Sequence, residues 1–128
     1  MSDRSPRPNR GDEIHRVLHT LVNSSPDVEG AALVTLDGLA LASALPAGTD
    51  EDRVSAMAAA ALSMGSRMAA ELKRGTLEQV YVKGNAGYVV MMQAGEETVL
   101  ETISSSDARL GLLLYEMKVA AKELANLV

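Results

Sequence analysis

The sequence predicts an α+β fold, a five-stranded, mostly antiparallel sheet flanked by helices in the order helix, two strands, helix, three strands, helix. Apolar residues recur at helical spacing in three segments, and five short β-branched or apolar segments lie between them, separated by Gly, Asn, Asp or Pro. A chain of 128 residues is the size of one ordinary domain. A crossover through the second helix separates the two strand groups, which allows the first strand to lie beside the last.

The first half of the chain predicts a helix followed by a hairpin. We expect residues 1–11 to form a disordered N-terminal tail and residues 12–128 to form the domain, with Asp12 capping a helix that runs to about Asn23. The strands are predicted over 30–35 and 39–44. Asp37-Gly38 joins them, and this dipeptide is the strongest short signal for a hairpin.

The second half predicts a long helix, a three-stranded meander and a final helix. Thr49 or Asp50 caps the second helix, which is expected to run from residue 51 to 74. The meander strands are predicted at 78–83, 88–94 and 98–104, and the last helix at 108–127 with Ser106 or Asp107 as its cap.

Composition excludes several classes of function. The net charge of −5 and the presence of only three aromatic residues argue against nucleic-acid binding, which needs clustered cations and stacking side chains. No apolar run approaches the roughly 20 residues that span a bilayer, and no signal peptide is indicated at the N-terminus. The chain lacks Cys, which fits a cytoplasmic protein and excludes thiolate chemistry.

Motifs for catalysis or cofactor binding are not found in the sequence. It has no phosphate-binding loop, and no His–carboxylate pair adjoins a nucleophile. His15 and His19 have the spacing of metal ligands, but two solvated histidines are the favoured interpretation because no third ligand is evident. We therefore expect a protein that is not an enzyme and has no cofactor or metal.

The second helix carries two packing faces. One stripe is expected to cover the sheet: Val54, Met57, Ala58, Ala61, Leu62, Met68, Ala69 and Leu72. The other side is rich in small residues, so we interpret it as the interface of a homodimer, although solvated alanines are an alternative. The strand at 78–83 is expected at an edge, where it either pairs with its symmetry mate or is blocked by Glu78 and Lys83. The predicted interface comprises Ala56, Ala59, Ala60, Ser63, Met64, Arg67, Val80, Tyr81 and Val82.

Several features in order carry a family resemblance. Residues 28–34 lead into Leu36-Asp37-Gly38-Leu39, an Ala- and Met-rich helix follows, and the meander contains Gly84-Asn85 and Gly95-Glu96 before the terminal helix. From about Gly11 to Val128 the chain resembles the Roadblock / dynein light chain family, and within it the prokaryotic MglB-like regulators of Ras-like GTPases. The resemblance implies dimerisation through the second helix and third strand.

The resemblance also implies a function. The chain is expected to be a non-catalytic homodimer that binds a small Ras-like GTPase and modulates its nucleotide cycle, by remodelling the partner in preference to supplying an arginine finger. A structural adaptor without effect on GTP hydrolysis is the alternative. Docking near the paired helices implies five candidate contact residues: Arg53, Ser63, Arg67, Glu71 and Arg74.

Overall fold

The computed structural model describes residues 9–128, which form three helices and five strands. In chain order these are α1 (Arg10–Val22), β1 (Val28–Thr35), β2 (Ala40–Ala44), α2 (Glu51–Glu71), β3 (Val80–Gly84), β4 (Gly87–Gln93), β5 (Thr98–Ser105) and α3 (Leu110–Ala125). The predicted order of elements is confirmed. None of the helices in this part of the chain is both long and apolar enough to cross a membrane.

The five strands form one sheet in the order β2-β1-β5-β4-β3. Every pairing is antiparallel, and β1 lies beside β5, as the crossover through α2 allows. The predicted fold class is therefore confirmed. β3 and β2 are the outermost strands, so the expectation that β3 occupies an edge is also confirmed.

Helix α1 begins three residues earlier than predicted. The side chain of Asn9 accepts a hydrogen bond from the backbone N–H of Asp12 at 2.8 Å, so Asn9 is the cap and Asp12 lies in the first turn. Residues 10 and 11 of the predicted tail are consequently helical. The rest of that predicted tail, residues 1–8, lies outside the described residues.

The other two helices differ from prediction in length. Asp50 caps α2 by accepting from the N–H of Arg53 at 3.1 Å, but the helix ends three residues before Arg74. The predicted cap of α3 at Ser106 or Asp107 is wrong. β5 extends to Ser105, whose N–H donates to the carbonyl of Asp27 at 2.8 Å, and the helix starts only at Leu110.

Two hydrophobic layers cover the faces of the sheet. Helices α1 and α3 pack on one face around fully buried Leu18, Leu33, Leu100, Met117 and Leu124. Helix α2 packs on the opposite face against a smaller cluster that includes Ala32, Val34, Leu62, Met91 and Val99. The smaller layer leaves more of α2 uncovered.

Helix α2 approaches the sheet closely at two glycines. Gly38, in the β1–β2 turn, has φ +89°, and a Cβ there would lie 3.1 Å from the Cα of Ala56. A Cβ on Gly65 would lie 2.9 Å from Cγ2 of Val80 and 3.2 Å from Cδ2 of Leu77. The helix therefore runs from the β1–β2 hairpin at its start towards the β3 edge.

A carboxyl group is buried beneath α2. Glu101, at the centre of β5, is 4% exposed and pairs in register with Ala32 and Met91, both of which contact the α2 layer. Its Oε1 has no hydrogen-bond partner among the described residues, and neither does Oγ of buried Ser55 on α2. Loss of solvation raises the pKa of Glu101 from its ordinary value of 4.5 to about 7.

We expect Glu101→Gln to remove a pH dependence of stability. The folded protein keeps a proton on Glu101 that the unfolded chain releases, so raising the pH from about 4.5 to about 7 destabilises the wild type. Over this pH range the free energy of unfolding of the wild type should fall by roughly 3 kcal/mol, and that of the variant should not show this fall. Urea unfolding at several pH values measures the difference. Glu29→Gln, at an exposed position on β1, is the control and should show no such gain. If the difference in free energy of unfolding between Glu101→Gln and the wild type did not change with pH, the result would contradict a raised pKa of buried Glu101.

We expect Gly65→Ala to be less stable than the matched variant Gly111→Ala. Both add a methyl group to a helix and gain similar helix propensity, but a Cβ on Gly111 has no neighbour within 4 Å. The clash with Val80 should make Gly65→Ala the less stable by about 1 to 3 kcal/mol. Urea denaturation at one protein concentration measures both. Equal stability would show that α2 shifts freely over β3.

Candidate protein-interaction surface

Four large apolar side chains of α2 and its C-cap are exposed, and three of them were predicted to cover the sheet. Met57, Met68 and Leu72 are between 55 and 62% exposed, so the prediction that they cover the sheet is wrong. The rotation of the helix about its axis explains the difference, because its buried side is formed by smaller residues. These are Ser55, Ala58, Ala59 and Leu62.

Exposed Met57, Met68 and Leu72, together with half-buried Ala61, lie on the side of α2 that faces β3. Met57, Ala61, Met68 and Leu72 recur at spacings of four, seven and four, which places them on the same side as Gly65. Gly65 marks the side nearest β3 because it contacts Val80. We call this set of four residues the α2 flank.

The β3 edge continues the α2 flank. Tyr81 and Val82 are exposed, and Val80 is half-buried. Glu78 lies before the strand, and the Nζ of Lys83 lies 5.8 Å from the ring centroid of Tyr88 on β4. Glu78 and Lys83 therefore both lie away from the middle of the β3 edge. Among the described residues, this edge of β3 has no strand partner.

The residues predicted for the dimer interface occupy two regions. Val80, Tyr81 and Val82 form the β3 edge, and Met64 lies next to the α2 flank on the side of the helix opposite the sheet. Ala59 is 6% exposed and packs within its own chain, so its side chain offers little surface to a second subunit. The others are exposed on the side of α2 that is turned away from Gly65: Ala56, Ala60, Ser63 and Arg67.

All five residues predicted to contact a partner are exposed. Arg53, Arg67 and Glu71 recur at helical spacing on the side of α2 opposite the sheet, together with Met64. Nε of Arg53 lies 3.9 Å from Oδ2 of Asp50. The two remaining positions are Ser63 on the side turned away from Gly65 and Arg74 beyond the helix, whose Nε donates to the carbonyl of Leu72 at 3.0 Å.

Two other groups singled out in the sequence have local structural partners. His15 and His19 are exposed on α1 with ring centroids 6.5 Å apart, and Nδ1 of His15 lies 3.1 Å from the carbonyl oxygen of Gly11. In the serine-rich segment, Oγ of Ser105 donates to Oδ1 of Asp27 at 3.0 Å. This bond ties the start of β1 to the end of β5.

The α2 flank was missed by sequence reasoning, although one signal pointed to it. An isolated glycine inside a helix costs about 1 kcal/mol relative to alanine, so it is a candidate for a close packing contact, and Gly65 is such a glycine. It indicated a close approach of the helix to another element but not which strand it meets, and that strand decides where Met68 and Leu72 lie. The burial of Glu101 was also missed, and its signal was a single acid in an otherwise uncharged β-branched and apolar strand segment, residues 98–104.

Comparison with solved structures shows the same fold. The Roadblock/LC7 domain from Streptomyces avermitilis superimposes with a TM-score of 0.82 at 24% identity, covering 88% of this chain and 94% of that one. The gliding protein MglB from Thermus thermophilus gives 0.84 at 18% identity, covering 99% and 97%. MglB from Myxococcus xanthus gives 0.82 at 21% identity, covering 89% and 93%.

Sequence comparison identifies archaeal relatives and a family. Two uncharacterized proteins of Methanocaldococcus jannaschii, MJ1340 and MJ0310, are each 40% identical over 111 residues, which are 87% of this chain and 96% of each relative. The Roadblock/LC7 domain matches residues 15–104, which span β1 to β4, the whole of α2 and all of β5 except its last residue. The chain therefore belongs to the Roadblock/LC7 domain family.

Proposed function

We propose that this protein is a non-catalytic homodimer that binds a small Ras-like GTPase and modulates its nucleotide cycle. The apolar surface formed by the α2 flank and the β3 edge is the observation that supports it. Membership of the Roadblock/LC7 family and the fold shared with MglB favour this function over an unrelated binding role.

The dimer forms through the α2 flank and the β3 edge together. A two-fold axis beside β3 brings the edge strand next to its mate and extends the sheet, since an open edge carries unpaired N–H and C=O groups. The same axis places the two flanks side by side, where Met57, Met68 and Leu72 become buried. Ala61 is small and allows close approach of the two helices.

We expect Met68→Glu to dissociate the dimer. The substitution puts two symmetry-related carboxylates into an apolar interface without partners, which costs about 3 kcal/mol or more. The dissociation constant should rise roughly a hundredfold or more. Sedimentation velocity across a concentration series measures the change.

Ser63→Glu is the matched control for this experiment. It introduces the same charge on the same helix, but on the side turned away from Gly65. The dimer should survive this change. If Ser63→Glu dissociates the dimer and Met68→Glu does not, the interface lies instead on the face that carries Ala56 and Arg67.

The GTPase docks on the side of α2 that faces away from the sheet. Dimerisation through the flank leaves Arg53, Met64, Arg67 and Glu71 free, and the two-fold axis sets two copies of them next to one another. Such a surface combines an apolar contact with charges of both signs, as protein interfaces do. Arg67 and Glu71 have no ion-pair partner among the described residues, so both are available to a bound protein.

We expect Arg67→Glu to weaken GTPase binding by about tenfold or more while the dimer stays intact, because a charge at the contact is reversed. The protein is mixed with a Ras-like GTPase from the same genome, loaded with GDP or with a non-hydrolysable GTP analogue. Binding is measured by calorimetry and turnover by phosphate release. Lys118→Glu, at an exposed position on α3, is the control and should bind like the wild type. Absence of binding in both nucleotide states would contradict the proposal.

The same assay separates regulation from a scaffold role. Binding that changes the rate of GTP hydrolysis or nucleotide exchange supports a regulator. Binding without any change in those rates supports a structural adaptor. An arginine finger would raise hydrolysis by about 10³ to 10⁵-fold, and loss of most of that effect in Arg53→Ala or Arg67→Ala would identify it.

A further inference from the structure

An open groove lies on the other side of the sheet from α2, at the end of the molecule where two turns meet. The β1–β2 turn forms one wall and the β4–β5 turn another, and the ends of α1 and α3 close it. Its volume is about 900 Å³. We call it the hairpin groove and define it by Ile14, Leu36, Leu41 and Val128 at its apolar surface and by Asp37, Glu96 and Glu97 at its rim.

The walls of the hairpin groove are fixed by specific contacts. The N–H of Leu36 donates to the carbonyl of Glu97 at 3.0 Å and joins the two turns. Nε2 of Gln93 donates to the carbonyl of Glu96 at 2.8 Å. Gly95 has φ +96°, and a Cβ there would lie 3.2 Å from Cγ2 of Val128, so the turn packs closely on the end of the chain. The groove is therefore a formed surface and not a gap between loose loops.

A β-bulge directs an apolar side chain into this groove. Leu33 pairs with Ala42, but Val34 pairs with Ala40, so Leu41 is an extra residue without a partner on β1. A bulge re-aims the side chain of the extra residue. Leu41 is 47% exposed and lines the groove beside Leu36 and Ile14. Nothing within residues 9–128 covers it.

The charge around the groove is of one sign. Asp37, Glu96 and Glu97 are exposed at its rim, and none of the described residues that line it is Lys or Arg. Among residues 9–128, none of the three carboxylates takes part in an ion pair. Apolar surface bordered by unpaired carboxylates is complementary to a chain segment that carries both apolar and basic residues.

We infer that the hairpin groove binds an apolar, Lys- or Arg-containing segment of a protein partner. Leu36 and Leu41 receive the apolar side chains, and Asp37, Glu96 and Glu97 pair with the cations. The site lies across the sheet from α2, and it stands independently of the dimer and of GTPase binding.

The test uses the full-length protein labelled with ¹⁵N and two synthetic probes. One is an amphipathic peptide of Leu and Lys, about 14 residues long or roughly four helical turns, and the other replaces every Lys by Glu. The Leu/Lys peptide should shift the amide signals of Leu36, Leu41 and Glu97, and its affinity should fall as salt is raised. The Leu/Glu peptide should leave them unchanged. Equal binding of both peptides, or shifts confined to other surfaces, would overturn the inference.

Two pairs of variants test the contacts separately. Leu41→Ser should weaken binding of the Leu/Lys peptide, while Leu39→Ser should not, since Leu39 is 66% exposed on the same hairpin but does not line the groove. The double variant Glu96→Lys/Glu97→Lys should lower the affinity by about tenfold or more. Glu78→Lys/Asp107→Lys makes the same change in net charge at exposed positions elsewhere and should bind normally. If each control weakened binding as much as its partner variant, the groove would not be the site.

The same measurements test two other occupants of the hairpin groove, the N-terminal segment of this chain and a second copy of the chain. If the Leu/Lys peptide bound only to the variant Arg4→Glu/Arg7→Glu, the groove would take the chain's own basic N-terminal segment, and the inference of a protein partner would be wrong. If Glu96→Lys/Glu97→Lys altered the sedimentation of the free protein, the occupant would be a second copy of this chain. The expected result is that sedimentation is unchanged and that the wild type binds the peptide.

Discussion

The contact between Gly65 and Val80 determines how α2 lies on the sheet, and much of the surface depends on it. Because Gly65 has no side chain, the helix approaches the β3 edge closely enough for the side chain of Val80 to contact the helix backbone. Small residues then face the sheet, and the long side chains of Met57, Met68 and Leu72 are turned towards the open edge. One close approach therefore creates a continuous apolar surface from a helix and a strand.

The order of elements was predictable because each depends on local signals. Asp37-Gly38 predicted the β1–β2 turn, and Asp50, one of two candidate caps, predicted the start of α2. The rotation of α2 was not predictable from its composition, since Ala, Met and Leu occur on every side of it. Which side becomes buried depends on the contact with β3, which is distant in sequence and becomes visible only once the sheet order is known. The predicted start of α3 was wrong for a similar reason, because the distant residue Asp27 holds Ser105 within β5 and the helix begins later.

The layer beneath α2 is small and carries a cost in its polar groups. Ser55 and Glu101 are both buried there, each with an oxygen that has no hydrogen-bond partner among the described residues. Burying such groups without partners destabilises the fold. These two groups therefore reduce the stability that the layer beneath α2 contributes. Burial of the flank against a second subunit adds apolar contact to the same helix, so dimerisation would offset part of that cost.

The β1–β2 hairpin connects the two surfaces of the molecule. Gly38 touches Ala56 at the start of α2, whereas Leu36 is bonded to the β4–β5 turn and lines the hairpin groove on the opposite face. A partner on α2 and a segment in the groove would therefore contact opposite sides of one short hairpin without competing for space. Because the hairpin is held by backbone contacts on both sides, it gives the two sites a fixed separation and orientation. A small domain with this arrangement is suited to holding two proteins together, whether or not it also alters the activity of one of them.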